Sequence, residues 1–298
     1  MFIYKAGSLG WLNWMDDATY LRMMYRLKMG KSLDLDNPKT FNEKLQWLKI
    51  HDRKPEYTTM VDKIAAKKYV ADIIGEEYII PTLGVWNHFD EIDFDKLPDQ
   101  FVLKCNHDSG GLVIVRDKAK LDKAAAKKKL EKCLKRNYYW SSREWPYKNV
   151  PPKIFAEEYM EDTAIKELRD YKIFTFDGMA KALFIATDRQ KVGEEVKFDF
   201  YDVDFKHIPF RQGHENATIQ PKKPETFDQM LKLAEKLAEG IPQVRVDFYE
   251  VNGVTYFGEL TFSHFGGMTP FNPEEWDEKL GELITLPEEF GGGVRTKV

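Results

Sequence analysis

The chain has 298 residues, of which 43% are hydrophobic and 32% are charged, a composition typical of a folded protein with a sizeable core. Its net charge is only −4, which argues against a nucleic-acid partner, because general nucleic-acid binders carry a dominant basic surface. No apolar run approaches the roughly 20 residues of a membrane-spanning helix, so we expect a protein that is not integral to a membrane.

The N-terminal part of the chain is predicted to be helical. Charged side chains interrupt residues 1–30, which lack the apolar segment of a signal peptide, so we expect a cytoplasmic protein. Hydrophobic spacing predicts helices over residues 16–29, after a capping box that starts at Thr40, and from Asp62 to Gly75. Lys63 falls in the first turn of the third helix, where a positive charge opposes the helix dipole. The lysine therefore has no helix-stabilising reason to be there.

A lysine then interrupts a predicted strand at residues 101–106, and the loop that follows ends in Gly110 and Gly111. An unpaired buried ammonium is very costly, so Lys104 must reach solvent or meet an anion. The two glycines allow the loop backbone to approach a ligand and to turn its N–H groups toward it. This combination suits a phosphate, although a solvated lysine at a sheet edge produces the same pattern.

The middle of the chain contains features with more than one interpretation. A lysine-rich helix predicted over residues 118–137 is interpreted as a solvated helix face rather than a polyanion site. The aromatic loop at residues 138–147 suits either stacking on a sugar or base, or packing between two lobes. Cys105 and Cys133 provide neither a disulfide framework nor zinc-ligand spacing, so we expect buried, reduced thiols.

The second half of the chain is predicted to be rich in antiparallel strands. These strands are expected at residues 154–160, 170–176 and 182–186, and in a hairpin over residues 244–261. Further helices are predicted from Thr226 to Gly240 and after Asn272-Pro273. Helices followed by mixed units and then by long hairpins indicate an α+β fold rather than a doubly wound sheet.

The hairpin over residues 244–261 carries acidic side chains inside apolar strands. Buried carboxylates in strands need a partner, and their hard oxygen atoms suit Mg²⁺ or Mn²⁺. A two-residue turn at Asn252-Gly253 would place Asp247 and Glu259 on opposite faces. A three-residue loop with Gly253 left-handed would pair residue 247 with 257 and residue 245 with 259, so that Arg245 joins both carboxylates on one face.

The metal interpretation of the hairpin therefore requires the three-residue, bulged loop. A structural ion pair between Arg245 and Glu259 accounts for the same residues equally well. The triplet Asp202-Val203-Asp204 fits the short acidic motif of metal-dependent glycosyltransferases, but such triplets arise easily by chance in a chain with many aspartates.

Several separated motifs together resemble the TupA-like branch of the ATP-grasp family over roughly residues 37–285. The motifs are NPKTFNEKLQWL at residues 37–48, FVLKCNHDSG at 101–110, REWPY at 143–147 and the hairpin from 244 to 262. The resemblance implies an ATP-grasp fold, in which two α+β lobes hold ATP between them. It divides the chain into a helical segment at residues 1–60 and lobes at residues 61–158 and 159–298.

The resemblance also implies roles for individual residues. The nucleotide would contact Lys63, Lys104, His107, Asp108, Ser109, Gly110, Gly111, Glu157, Glu158, Tyr159 and Met160. In this set the two lysines bind phosphates, residues 107–111 close over them, and residues 156–160 hold adenine and ribose. Asp247 and Glu259 would bind Mg²⁺, with Thr261 at the position of the asparagine that the family usually has. Lys104, Arg245 and Arg189 are the candidate catalytic residues, and Arg245 is preferred for stabilising an acyl phosphate because it shares the face of the metal carboxylates.

The activity that the resemblance implies is an ATP- and Mg²⁺-dependent ligation of a carboxylate to an amine through an acyl phosphate. The expected partners are ATP, an amine and a carboxylate-bearing sugar or amino acid, in polysaccharide or teichuronopeptide biosynthesis at the bacterial cell surface. Two alternatives remain: a sugar kinase on the same fold, and a glycosyltransferase of polysaccharide biosynthesis.

Overall fold

The computed structural model describes residues 7, 10–165, 168–188, 193 and 195–287. The α-helices in these ranges are α1 (Asp17–Met29), α2 (Phe41–His51), α3 (Glu56–Val61), α4 (Ala65–Ile74), α5 (Lys123–Leu134), α6 (Tyr139–Ser142), α7 (Phe227–Leu237) and α8 (Glu275–Glu282). None of the helices in the described part of the chain is long and apolar enough to cross a membrane.

The strands form two antiparallel sheets and one small strand pair. In chain order the strands are β1 (Thr82–Trp86), β2 (Phe101–Cys105), β3 (Leu112–Val115), β4 (Ile154–Glu158), β5 (Asp170–Phe176), β6 (Met179–Thr187), β7 (Lys197–Asp202), β8 (His207–Ile208), β9 (Arg211–Gln212), β10 (Gln243–Val251), β11 (Val254–Thr261) and β12 (Phe271–Asn272). One sheet has the order β1-β4-β2-β3, the other has the order β11-β10-β5-β6-β7-β8, and β12 pairs with β9. The predicted α+β class is confirmed.

Each sheet buries apolar residues against helices. The four-stranded sheet packs on α5, where Leu130 and Leu103 are fully buried. One face of the six-stranded sheet packs on α4 and α7, and its other face is rich in phenylalanine and packs on α2 and α8. Phe41 of α2 makes edge contacts with the rings of Phe174 and Phe176 on β5. Helix α2, early in the chain, is therefore anchored to the second sheet.

Two predicted helix limits differ from the structure. The lysine-rich helix is shorter than residues 118–137, because the Asp122 carboxylate caps α5 by accepting from Ala125 N at 2.9 Å, and a separate 3₁₀ turn precedes it. Lys63 lies in the turn before α4 and not in its first turn. There the Asp62 carboxylate accepts a hydrogen bond from Ile64 N at 2.9 Å.

The loop of the acidic hairpin is also shorter than the metal interpretation required. Asn252 and Gly253 both have positive φ angles, of 51° and 76°, and Val251 pairs directly with Val254. The loop is thus a two-residue turn, as an Asn-Gly sequence favours, and the three-residue loop is wrong.

A bulge farther along β11 nevertheless places the carboxylates of Asp247 and Glu259 on the same face of the hairpin. Phe248 pairs with Phe257, but Asp247 pairs with Glu259, so Gly258 is the extra residue. A Cβ atom at Gly258 would lie 3.0 Å from the carbonyl oxygen of Asp247. Glycine avoids this close contact because it has no Cβ atom. Because Arg245 consequently pairs with Thr261, the expected pairing of residues 245 and 259 is also wrong.

The aromatic loop at residues 138–147 packs against the N-terminal helices. Tyr139 is buried, and its hydroxyl donates to Asp17 on α1 at 2.7 Å. The fully buried Arg143 guanidinium lies 4.2 Å from the centre of the Tyr20 ring and 4.7 Å from that of Trp140. Of the two interpretations left open by the sequence, these contacts favour packing between parts of the chain.

Candidate functional site

A polar cavity lies where the four-stranded sheet faces the six-stranded sheet. Its lining comes from the turn before α4, from β2, β3 and β4 with the loop after β2, and from β5, β10 and β11. The lining residues are Lys63, Lys104, Cys105, Asp108, Ser109, Gly110, Gly111, Leu112, Glu157, Asp170, Lys172, Asp247, Tyr249, Gly258 and Glu259. Lysines and carboxylates from distant parts of the sequence thus meet in one cavity.

Glu157 on β4 joins two lysines at one wall of this cavity. Its carboxylate pairs with Lys104, which lies diagonally across the β2–β4 ladder, and with Lys67 on α4 at 2.8 Å. Burial by itself would raise the pKa of Glu157, but the two ammonium groups outweigh burial and lower that pKa below its usual value. Glu157 therefore stays ionised and fixes Lys104, as a carboxylate that orients a phosphate-binding lysine would.

Lys63 links the turn before α4 to the acidic hairpin. Its ammonium lies 3.4 Å from the Glu259 carboxylate and donates to the backbone carbonyl of Asp108 at 3.2 Å. Burial by itself would raise the pKa of Glu259. Lys63, Lys172 and Arg245 lower it by more, so the pKa of Glu259 lies well below its usual value. Glu259 is therefore an anion in the folded protein.

Asp247 is almost completely enclosed, with 1% of its surface exposed. Arg245 donates to both of its oxygens, at 2.7 and 2.8 Å, and Lys172 of β5 pairs with it from the neighbouring strand. Arg245 Nη2 also donates to the Thr261 hydroxyl at 3.0 Å and lies 3.3 Å from Glu259. Both carboxylates are therefore held by cations on the same face of the hairpin.

The loop after β2 has an anchored part and an exposed part. His107 is buried, its Nε2 atom lies within 3.2 Å of the carbonyl oxygens of Cys133 and Arg136, and it is absent from the cavity lining. Asp108 lines the cavity, and its carboxylate pairs with Arg136 and accepts from the Cys133 thiol at 2.9 Å. The exposed residues are Ser109 and Gly110. These two residues are the part of the loop that is open to a ligand.

A more apolar cavity adjoins the polar one and shares Lys104, Leu112, Glu157 and Tyr249 with it. The rest of its lining is Ile80, Val102, Ile114, Glu158, Tyr159, Met160 and Leu168. The segment expected to hold adenine, from Glu157 to Met160, thus borders a cavity with apolar walls that continues toward the two lysines. A flat apolar base joined to a polyanion would fit the two adjoining cavities, with the base between the apolar walls and the anion near the lysines.

The sequence matches the TupA-like ATP-grasp family over residues 43–285, most of the chain. The chain belongs to the TupA-like ATP-grasp family. Membership confirms the resemblance and the ATP-grasp fold that were predicted from the sequence motifs. The roles of individual residues and the limits of the two lobes remain predictions.

Solved ATP-grasp structures are similar to the chain at low sequence identity. The ATP-grasp ligase PsnB complexed with minimal precursor is 11% identical, with a TM-score of 0.39, over 72% of this chain and 57% of that one. The D-alanine–D-alanine ligase from Bacillus anthracis is 17% identical, with a TM-score of 0.40, over 83% of this chain and 69% of that one. The enzyme of the same name from Helicobacter pylori is 13% identical, with a TM-score of 0.42, over 82% and 69%.

The chain thus spans less than two thirds of the length of PsnB. Structural similarities of this size support no conclusion about function. No curated protein matches the sequence. Family membership therefore rests on the sequence match alone.

The carboxylates can be tested as ligands for the metal ion that the ATP-grasp family implies. Within the described ranges, no three His, Cys, Asp or Glu side chains are grouped so that they could hold a metal ion by themselves. Asp247 and Glu259 are direct register partners and line one cavity with three lysines. Mg²⁺ is usually held by one or two carboxylates and completed by phosphate oxygens and water. The two carboxylates would fit an ion of that kind if a polyphosphate completed its coordination.

Two lysines of the TupA-like site escaped the sequence analysis. Lys172 lies inside the apolar strand β5, which is the same signal that identified Lys104. Lys67 lies on α4, and a lysine on a helix gives no signal of its own. Arg189, a candidate catalytic residue, lies outside the described residues.

The acidic triplet at residues 202–204 has a local structural role. The Asp202 carboxylate accepts from the backbone N–H groups of Asp204 at 3.0 Å and Lys206 at 2.8 Å. Asp204 pairs with the Lys206 side chain at 3.2 Å. These contacts fix the turn after β7, so the triplet provides no support for a glycosyltransferase site.

Proposed function

We propose that this TupA-like protein is an ATP- and Mg²⁺-dependent ligase that joins a carboxylate to an amine through an acyl phosphate. The observation that carries the proposal is the meeting of Lys63 and Lys104 with Asp247 and Glu259 in one cavity. An ATP molecule with its base in the adjoining apolar cavity would place its phosphates among these four side chains. The lysines neutralise phosphate charge, and the carboxylates provide oxygen ligands for Mg²⁺.

In the first step, a carboxylate oxygen of the acceptor attacks the γ-phosphorus of ATP. The bond from that phosphorus to the bridging oxygen breaks, and its electron pair leaves with ADP, so the products are an acyl phosphate and ADP. The protein supplies position and charge rather than covalent chemistry in a transfer of this kind. Lys63 and Lys104 bind phosphate oxygens, whereas Arg245, proposed as the partner of the acyl phosphate, is absent from the cavity lining and is paired with Asp247 and Glu259.

In the second step, the amine nitrogen attacks the acyl carbon. The carbon–oxygen bond to phosphate breaks, inorganic phosphate leaves and the nitrogen loses a proton, which gives an amide. Mg²⁺, when bound at Asp247 and Glu259, supplies further neutralisation of phosphate charge. The loop at Ser109 and Gly110 covers the phosphates and keeps water from the acyl phosphate.

The substrate class follows from the family. We propose a carboxylate-bearing sugar or amino acid and an amine, joined in the cytoplasm during the biosynthesis of a bacterial cell-surface polysaccharide or teichuronopeptide. The support is the match to the TupA-like family. The described part of the chain, which lacks a membrane-spanning helix, is compatible with this setting.

One assay tests the proposal. Purified protein, Mg·ATP and mixtures of uronic acids, glutamate and amines should release ADP and phosphate in equal amounts, together with an amide detected by mass spectrometry. ADP release with a phosphorylated sugar and no free phosphate would indicate the kinase instead. Transfer from a nucleotide sugar without ATP consumption would overturn the ATP-grasp mechanism.

A further inference from the structure

Asp108 places a carboxylate beside the proposed phosphate site. Asp108 lines the polar cavity with Lys63 and Lys104, and its side chain is only 3% exposed. A negative charge at such a position repels phosphate groups, and the repulsion grows as water is excluded. A cavity that receives a polyphosphate therefore requires a cation that offsets the charge of Asp108.

Arg136, two residues beyond the end of α5, supplies that cation. Its Nη2 atom donates to Oδ2 of Asp108, and the Cys133 thiol donates to the same oxygen at 2.9 Å. The other oxygen, Oδ1, accepts from the backbone N–H of Ser109 at 2.6 Å. The Arg136 side chain is 49% exposed and does not belong to the cavity lining. The guanidinium thus remains hydrated while it neutralises a buried carboxylate, which avoids the cost of burying both charges.

The same end of α5 holds both sides of the loop after β2. On one side, Nε2 of His107 lies 3.2 Å from the carbonyl oxygen of Cys133 and 3.1 Å from that of Arg136. On the other side, Gly111 packs so closely on the Cys133 sulfur that an added Cβ atom would overlap it. The two exposed residues in between are therefore fixed at both ends.

Asp108 also connects Arg136 to a lysine that is proposed to bind phosphate. The backbone carbonyl of Asp108 accepts from Nζ of Lys63 at 3.2 Å, and the same ammonium lies 3.4 Å from the Glu259 carboxylate. A shift of Asp108 would therefore displace Lys63 as well as the loop.

We propose that Arg136 is a positioning residue for the phosphates of the bound nucleotide. It neutralises Asp108 and holds it against the end of α5, so that the loop after β2 offers its backbone N–H groups, and Lys63 its charge, to an anion. The role rests on the proposed function, because it requires nucleotide phosphates in the cavity. Arg136 acts through Asp108 and does not touch the nucleotide.

Arg136→Gln separates an effect on phosphates from an effect on the whole cavity. The substitution removes the charge of a half-exposed side chain and leaves Asp108 without its counter-ion. We expect Kd for ADP in the presence of Mg²⁺ to rise about tenfold, while Kd for adenosine, which has no phosphate, changes less than about twofold. Arg136→Lys, which keeps the charge, should recover most of the loss. Lys135→Gln, which removes the same charge from the exposed neighbouring residue, is the matched control and should bind ADP like the wild type.

The Asp108→Ala background tests whether Arg136 acts through Asp108. In that background no carboxylate remains to be neutralised, so Arg136→Gln should raise Kd for ADP by no more than about a further twofold. A tenfold rise that persists would indicate direct contact between the guanidinium and phosphate, and would overturn the role. Calorimetric titration supplies the dissociation constants, and thermal unfolding confirms that each variant is folded.

Two other results would also contradict the role of Arg136. Equal losses of ADP and adenosine affinity in Arg136→Gln would show a general distortion of the cavity, and wild-type ADP affinity in that variant would show no role at all. A folded wild type that does not bind ADP would overturn the proposed function and this role with it. That failure is recognised because it precedes any substitution.

Discussion

At the scale of single residues, Lys104 illustrates how context decides the meaning of a side chain. The sequence pattern of a lysine before two glycines fits a solvated edge as well as a phosphate site. In the structure, Lys104 lies on an inner strand of its sheet and is paired with the buried Glu157. The lysine is therefore held in place inside a cavity and is not a solvated edge residue.

Removing the Lys104 charge should weaken phosphate binding, while Lys67 keeps the Glu157 carboxylate paired. We expect Lys104→Met to reduce Mg·ATP turnover at least about a hundredfold, because a preorganised cation at a developing charge contributes on that scale. Lys128→Met, at an exposed position on α5, is the control and should keep full activity. Turnover in Lys104→Met within about threefold of the wild type would contradict the assignment.

Glu157 should make stability depend on pH. Because the folded protein lowers the pKa of Glu157, its stabilising effect is complete above the usual value of 4.5 and is lost as the pH falls below it. We expect Glu157→Gln to reduce the free energy of unfolding by about 1–3 kcal/mol at pH 7, because Lys67 and Lys104 lose their shared partner in a partly exposed site.

The measurement is urea-induced unfolding of wild type and Glu157→Gln between pH 3 and pH 7. The difference between the two proteins should shrink as the pH decreases from 5 to 3. A difference that stays constant over this interval would show that the Glu157 carboxylate is not the stabilising charge.

At the scale of elements, the bulge in β11 determines whether the site exists. Without it, a two-residue turn would send Glu259 to the face opposite Asp247. The sequence predicts that Asp247 and Glu259 share a face, but it attributes this arrangement to a three-residue loop and not to a bulge. Asn-Gly signals the turn by its preference for positive φ, whereas a bulge glycine inside a strand looks like any other glycine.

Gly258→Val should therefore damage activity more than stability. The added side chain would meet the Asp247 carbonyl and shift the register of Glu259, so we expect a loss of turnover of more than about tenfold with destabilisation of about 1–3 kcal/mol.

Gly253→Ala is the matched control in the same hairpin. It places alanine at a φ of 76° and should cost about 1 kcal/mol, while turnover stays normal. Equal losses of turnover in both variants would indicate that general destabilisation, and not the register at Glu259, is responsible. Activity by initial rates and stability by thermal unfolding supply the two readouts.

At the scale of the whole molecule, the sequence predicts the fold class and the family but not how the parts pack. Alternating and helical spacing locate most elements, because burial imposes those periods locally. The contact between Lys67 and Glu157 joins residues far apart in sequence, and no local sequence pattern predicts it. Caps such as Asp122 shift helix limits by a few residues, since one side-chain hydrogen bond decides where a helix begins.

Bound nucleotide should stabilise the whole molecule, because the cavity draws on both sheets. Mg·ADP at about 100 times its Kd should raise the free energy of unfolding by about 2.7 kcal/mol, through binding to the folded state alone. The expected observation is a rise in Tm that EDTA reduces and that Lys104→Met removes. An unchanged Tm at saturating nucleotide would contradict a site shared by the two sheets.

The most direct test of the central claim is calorimetric titration of the protein with ADP, in the presence and in the absence of Mg²⁺. If Lys63, Lys104, Asp247 and Glu259 form the phosphate and metal site, the wild type should bind one nucleotide. Lys104→Met and Glu259→Gln should each weaken binding at least about tenfold, and the effect of Glu259→Gln should vanish when Mg²⁺ is absent. Wild-type affinity in both variants, or affinity that does not depend on Mg²⁺, would contradict the account.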